Sequence, residues 1–304
     1  MNATHISVLP VESLALLAPR PGEVWADCTT GAGGHARLIA DALGPTGMLL
    51  ALDQDETMLA LARPRLEGTC AVLVPANFDQ LPELLAGRGI ASLDGVFADL
   101  GFCSDQLHDA ARGFSFQNDG PLDMRLDARN GFTAADAVNT WSERTLADVF
   151  FEYGEERLSR RIARRIVERR PFNSTRQLAD FVRTCVPRSA DSIRIHPATR
   201  VFQALRIAVN DELGALDRLL AMLPKLVKPG GRAGVISFHS LEDRRAKQAF
   251  RDRAIWRAKT KKPVEASDAE SARNPRARSA KLRVAERLGP NGRDPDERTD
   301  EAEV

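Results

Sequence analysis

The sequence predicts an α/β protein: a mostly parallel sheet with helices on both faces, carrying an inserted helical subdomain. Three observations lead there. Short apolar runs alternate with helical patterns through residues 1–100. The alternation stops after Leu100, and helical spacing alone fills 133–185. A further buried strand then appears in PGGRAGVISF. Strand–helix alternation requires crossovers, and crossovers make parallel strands covered on both faces.

In chain order, EVWADC, MLLALD, AVLVPA and DGVFADL read as the first four strands. Each is short and almost wholly apolar, as strands buried on both faces must be. Between them HARLIADAL, ETMLALARPRL and FDQLPELLAGRG carry helical spacing. Residues 101–130 are rich in Gly, Asp, Arg and Phe and lack a period. TAADAVNTW, the long stretch ERTLADVFFEYGEERLSRRIARRIVERR and STRQLADFVRTCV read as helices, with Thr133, Ser142 and Ser174 placed to cap them. ATRVFQALRIAVNDELGALDRLLAMLPKLV reads as two successive helices, PGGRAGVISF as a turn and fifth strand, and SLEDRRAKQAF as a helix capped by Ser240. KKPV and SAKLRVAERL read as short late strands, with VEASDAESARNPRARSA between them as loop. The expected division is 1–105, an insertion over 106–205, 206–288, and an acidic, disordered tail over 289–304.

Composition narrows the class. A hydrophobic share of 43% and a charged share of 28% suit a soluble chain with a packed core. No apolar run approaches the roughly 20 residues that span a bilayer. The N-terminus has no basic start or small-residue cleavage site, so a mature cytoplasmic protein is expected. The four cysteines are far apart and form no CxxC pair, which argues against a zinc site or a disulfide framework. Net charge is only +1, yet from Arg244 to Arg287 fifteen Lys/Arg stand against five Asp/Glu. Such a segment is an electrostatic footprint for a polyanion or a merely solvated surface.

The chemistry begins at DCTTGAGGH, residues 27–35. Gly31, Gly33 and Gly34 follow the first strand and meet the loose GxGxxG/A pattern, which serves NAD enzymes and methyl-donor enzymes alike. Asp53 ends the second strand, where a carboxylate can accept both hydroxyls of a ribose. Asp27 discriminates. A carboxylate at the head of the loop would repel a pyrophosphate and attract the ammonium of the methionine part of S-adenosylmethionine. The loop lacks GK[ST] and is not a P-loop. Asp99, at the end of the fourth strand, stands at the same carboxyl edge, where open α/β sheets bind ligands.

The segments HISVLPVESL, DCTTGAGGH, LDQD, DLGFCSDQL, RGFSFQNDGPLDMR, YGEERLSRRIARRI, HPATRVFQALRIAVNDEL, GGRAGVISFHSLEDR and NPRARSAKLR together resemble the bacterial 16S rRNA (cytosine-N4)-methyltransferase family, from His5 to about Arg287. The resemblance implies a class I methyltransferase fold with a helical insertion. It implies S-adenosylmethionine as donor and the decoding-site cytidine of 16S ribosomal RNA as acceptor, within the small ribosomal subunit and away from membranes; it allows a homodimer. Donor-binding positions carry over to Gly33, Gly34, His35, Asp53, Phe78, Asp99 and Gln106, beside Gly31 and Asp27 from the loop itself. Two departures stand out: DLGFCS replaces DLGVSS at Phe102 and Cys103, and HISVLPVE lacks the family's early proline.

Cytosine N4 is a poor nucleophile because its lone pair is delocalised into the ring. Asp99, or a backbone carbonyl beside it, is expected to accept from N4–H. Phe114 and Phe116 could stack on the unpaired base or pack internally. Arg112 and Arg125 could meet phosphates or pair with Asp119 and Asp123. His239, Ser240, Glu242 and Asp243 follow the fifth strand and could line the acceptor pocket or cap the next helix. His196 and Arg200 carry no assigned role. SRRIARRIVERR presents a basic face to RNA or to solvent. The competing functions are amino-methylation of DNA or of another RNA position, a donor-binding assembly factor without catalysis, and a nicotinamide dehydrogenase, which Asp27 disfavours.

Overall fold

The structure, a computed structural model, describes residues 6–187 and 196–289. His5 and residues 290–304 of the acidic tail lie outside them. The chain forms two compact units, one from the segments up to Gly101 and from Leu213 onward, the other Phe102–Glu212. The cuts fall outside the 106–205 span expected for the insertion. The reason is the Ala198–Val209 helix, which buries Ala198, Val201, Phe202, Ala204 and Leu205 in the second unit's core and so belongs to it whole.

The first unit holds an eight-stranded sheet: β1 (Val24–Asp27), β2 (Met48–Asp53), β3 (Ala71–Pro75), β4 (Leu93–Asp99), β5 (Val227–Ser237), β6 (Trp256–Ala258), β7 (Val264–Glu265) and β8 (Lys281–Arg287). The order is β3-β2-β1-β4-β5-β8-β6, with β7 beside β8. β1 to β5 run parallel. β8 runs antiparallel to β5, β6 and β7. This is the class I methyltransferase arrangement, a parallel sheet with one reversed strand between the fifth and sixth.

Apolar side chains cover both faces. On one, Leu81, Leu85, Leu216, Leu219 and Leu223 close over Leu50, Leu52, Val96 and Ala98. On the other, Leu17, Ile39, Leu43, Ala62 and Leu66 cover Trp25, Leu49 and Phe97. Among the described residues no helix is long and apolar enough to cross a membrane.

The second unit is helical. Thr133, Ser142 and Ser174 do cap the Ala134–Thr140, Glu143–Glu152 and Thr175–Cys185 helices, each accepting a backbone N–H. The long pattern from Glu143 to Arg170 is two helices, not one. Glu155 takes φ +49, and a Cβ on Gly154 would stand 2.6 Å from the Arg200 carbonyl oxygen. The second helix, Ser159–Arg169, buries Ile162, Ala163 and Ile166 and leaves Arg160, Arg161 and Arg164 exposed.

Three other expectations need correction. β6 was not legible, being three residues long with one buried side chain, Trp256. The polar stretch before β8 contains a helix, Asp268–Arg273, capped by Ser267, and a 3-10 turn, Pro275–Ser279. They are too short to show a period. The Ser240–Ala249 helix begins from His239, not Ser240, because Glu242 reaches back to the N–H groups of Phe238 and His239 at 2.8 and 3.3 Å.

Gly33 provides a direct test of the loop. It takes φ +84, and an added Cβ would meet the Ala62 Cβ at 3.1 Å. Gly33→Ala is expected to cost about 1–3 kcal/mol through left-handed strain. The urea midpoint should fall with an unchanged slope.

Candidate functional site

The carboxyl ends of β1, β2 and β4 bring Asp27, Asp53 and Asp99 to one edge of the sheet. Chain order reverses there, between β1 and β4, which is where open sheets leave a ligand crevice.

Asp27 is fully buried. Its Oδ1 accepts from the Thr29 N–H at 3.1 Å, whereas Oδ2 is buried with no hydrogen-bond partner. Burial pushes its pKa up to about 8; the Thr29 N–H opposes this, and the charges of Asp99 and Asp53 add to it. Asp53 shapes the loop, accepting from the Gly31 N–H at 2.8 Å on Oδ2 and from the Asp55 N–H at 2.9 Å on Oδ1. A carboxylate has about four acceptor directions, so hydroxyls can still share it.

The glycines divide by role. A Cβ on Gly31 would meet nothing within 4 Å, so the space beside it is open. Gly33 is pressed against Ala62, and a Cβ on Gly34 would stand 2.0 Å from the Ser7 Oγ. Those two positions answer to the protein's own packing. His35, in the first turn of the Gly34–Leu43 helix, is buried against the Phe97 ring at 4.8 Å. Its Nε2 lies 3.6 Å from the Asp99 Oδ2.

Asp99 is held by its backbone, whose N–H donates to the Thr29 Oγ1 at 2.6 Å. Its Oδ1 is buried without a hydrogen-bond partner. Burial raises its pKa to about 7, against the lowering effect of Arg276 and with the help of Glu242. Phe78 opens the 3-10 turn after β3 and is half-buried against the core on one face of the sheet.

After β5, His239 and Ser240 lie at the same edge. The Glu242 Oε1 is 3.1 Å from the His239 Nε2. Asp243 is bound to Arg283 on β8 at 2.7 Å. Sequence reasoning passed over Arg276. Its guanidinium stands 5.6 Å from the centroid of the Phe238 ring and its charge reaches Asp99. Its only signal was membership of NPRARSAKLR.

The remaining candidates belong to the helical unit. The Gln106 Oε1 accepts from the Cys103 N–H at 2.9 Å, and the residue is buried. Arg112 donates to the carbonyls of Arg125 and Leu126 at 2.9 and 3.2 Å. Arg125 does pair with Asp123, at 2.7 Å. Asp119 accepts from the Arg176 N–H. Phe114 is buried and stacked on Phe102, with ring centroids 5.7 Å apart, so in this arrangement it serves the unit's core. Phe116 is half-buried between His196 and Phe202. Phe102, one of the two departures from the family pattern, also carries the Arg206 guanidinium at 4.8 Å.

The sheet edge therefore offers two buried carboxylate oxygens without partners, a third carboxylate, and open space beside Gly31. Such a set accepts from an ammonium and from hydroxyls and repels phosphates. S-adenosylmethionine fits it; a dinucleotide does not.

A family model described as the MraW methylase family matches residues 2–288. A curated relative from Trichormus variabilis, ribosomal RNA small subunit methyltransferase H, is 50% identical over 96% of this chain and 94% of its own. A protein of the same name from Geobacter sulfurreducens is 49% identical over 95% and 100%. Among solved structures, an rRNA methylase from Streptococcus thermophilus is 10% identical and aligns over 93% of this chain and 99% of that one with a TM-score of 0.46.

Proposed function

The chain belongs to the MraW methylase family, and from that premise we propose how its residues carry out the reaction. The protein is an S-adenosylmethionine-dependent methyltransferase of small-subunit ribosomal RNA, acting on N4 of the decoding-site cytidine of the 16S molecule. The observation that supports the residue assignment best is the pair of buried, partnerless oxygens, Asp27 Oδ2 and Asp99 Oδ1.

When bound, S-adenosylmethionine supplies a methyl group on a sulfonium centre. Asp27 Oδ2 would accept from its ammonium, Asp53 would accept from its ribose hydroxyls, and Gly31 leaves room for it. His35 positions Asp99 from below. The target base must leave its stack to reach this edge. Asp99 Oδ1 then accepts a hydrogen bond from one N4–H, which frees the lone pair for attack. A carboxyl with a pKa of about 7 is suited to take the N4 proton at neutral pH. Arg276 keeps Asp99 ionised enough to do so. The exposed arginines of the Ser159–Arg169 helix would contact RNA backbone.

This reading extends to cytoplasmic action on RNA within the small ribosomal subunit, with a homodimer as the association that sedimentation would reveal. Mass mapping of small-subunit RNA from cells with and without the gene tests the reaction. The decoding-site cytidine should lose its N4 methyl group only when the gene is absent. Methylation that persists without the gene overturns the reading.

A further inference from the structure

A second basic surface lies at the far end of the sheet. Between the Ser240–Ala249 helix, β6 and β8 runs a groove of about 990 Å³. Its lining holds six Lys/Arg and no Asp or Glu. Two of these cations are already engaged, Arg257 with Glu286 and Arg283 with Asp243. They fix the walls.

The other four are different. Lys247, Arg251, Arg253 and Lys261 are exposed and take part in no ion pair among the described residues. Trp256 and Val284 form an apolar floor beneath them. Four unneutralised cations facing one groove repel one another, and only a polyanion relieves all of them together. An apolar floor between cations suits a sugar–phosphate backbone, which presents ribose carbons between charged phosphates.

β6 is separated from β4 by β5 and β8, three steps of about 4.8 Å, so the groove stands about 14 Å sideways from Asp99 along the sheet. A nucleotide held at Asp99 cannot also fill it. We propose that this groove binds the backbone of ribosomal RNA outside the target nucleotide, as a second grip that contributes affinity and not chemistry. The proposal rests on the ribosomal RNA reading above. It also explains why the positive charge of a nearly neutral chain is concentrated between Arg244 and Arg287.

The test replaces Lys247, Arg251, Arg253 and Lys261 by glutamine together. A control replaces four exposed cations elsewhere in the same unit, Arg20, Arg63, Arg88 and Lys225, to match the change in net charge. Binding of small ribosomal subunits from cells without the gene is measured across salt concentration. The groove variant should bind about tenfold or more weakly at low salt. Its salt slope should be shallower by about 0.7–0.9 for each phosphate no longer neutralised, close to 3 for all four. The gap should narrow as salt rises. Turnover at saturating RNA and binding of S-adenosylmethionine should match the parent, with the defect confined to KM. The control should lose little. A groove variant indistinguishable from the control overturns the proposal while the parent still methylates; a parent that neither binds nor methylates the subunits overturns the functional reading itself.

Discussion

Asp99→Asn is expected to abolish most methyl transfer while leaving donor and RNA affinity within a few fold. Asparagine keeps the shape and a carbonyl acceptor but cannot take a proton. Positioned proton acceptors typically contribute ~10²–10⁴ in rate, so turnover should fall by that order. The parent's pH profile gives an independent reading. Asp99 works as the anion, and burial holds its pKa at about 7. Activity should therefore rise with pH through about 7 and level above it. In Asp99→Asn the residual activity should lose that acidic limb. Single-turnover rates measured from pH 5.5 to 8.5 check both statements. Full turnover in the variant would return the role to a backbone carbonyl. Arg276→Gln should move the parent's limb upward, because the guanidinium favours the anion.

Asp27→Asn is the other large effect, and it falls on binding. The side chain stays the same size, but it can no longer release a proton and become the anion that a bound ammonium draws out of Asp27. A hydrogen bond to a charged group is worth about 1.5–3 kcal/mol, so the Kd for S-adenosylmethionine should rise roughly ten- to a hundredfold. Calorimetry measures it; an unchanged Kd would remove Asp27 from the donor site. The same substitution should make the unliganded protein more stable. Asp27 holds its proton in the folded chain up to about pH 8, whereas an unfolded aspartate releases it near pH 4. Folding thus takes up a proton across that window, and stability falls as pH rises through it. The variant is free of this decline. Its advantage in Tm over the parent should be small at pH 5 and grow toward pH 8.5. A residue that weakens the fold yet strengthens ligand binding is the usual mark of a functional site.

Much of this was legible in one dimension. β1 to β4 were apolar runs bounded by turns, and the aspartates ending three of them were readable because a strand's last residue reaches the ligand edge of a parallel sheet. The glycine loop was visible, though two of its three glycines answer to Ala62 and Ser7. β8 was harder. KLRVAER mixes four charged residues with three apolar ones, as an exposed strand would, yet it lies between β5 and β6 with Arg283 and Glu286 buried. Asp243, more than thirty residues upstream, pairs with Arg283, and Arg232 and Lys259 lie 3.7 and 3.4 Å from Glu286. No local pattern announces such partners. The break at Gly154 and Glu155 was hidden for a similar reason, since the close approach of the Arg200 carbonyl that demands it comes from a distant helix.

By itself the sequence determined the class of fold, the cationic character of the donor and the family to which the chain belongs. These follow from local periodicity, from one carboxylate at the head of a loop, and from long motifs. The tertiary structure decided the ionisation of Asp27 and Asp99, the place of Arg276 beside Phe238, the burial of Phe114, and the gathering of four free cations into one groove. Each depends on desolvation or on charges meeting across long stretches of chain, and neither is a property of neighbouring residues.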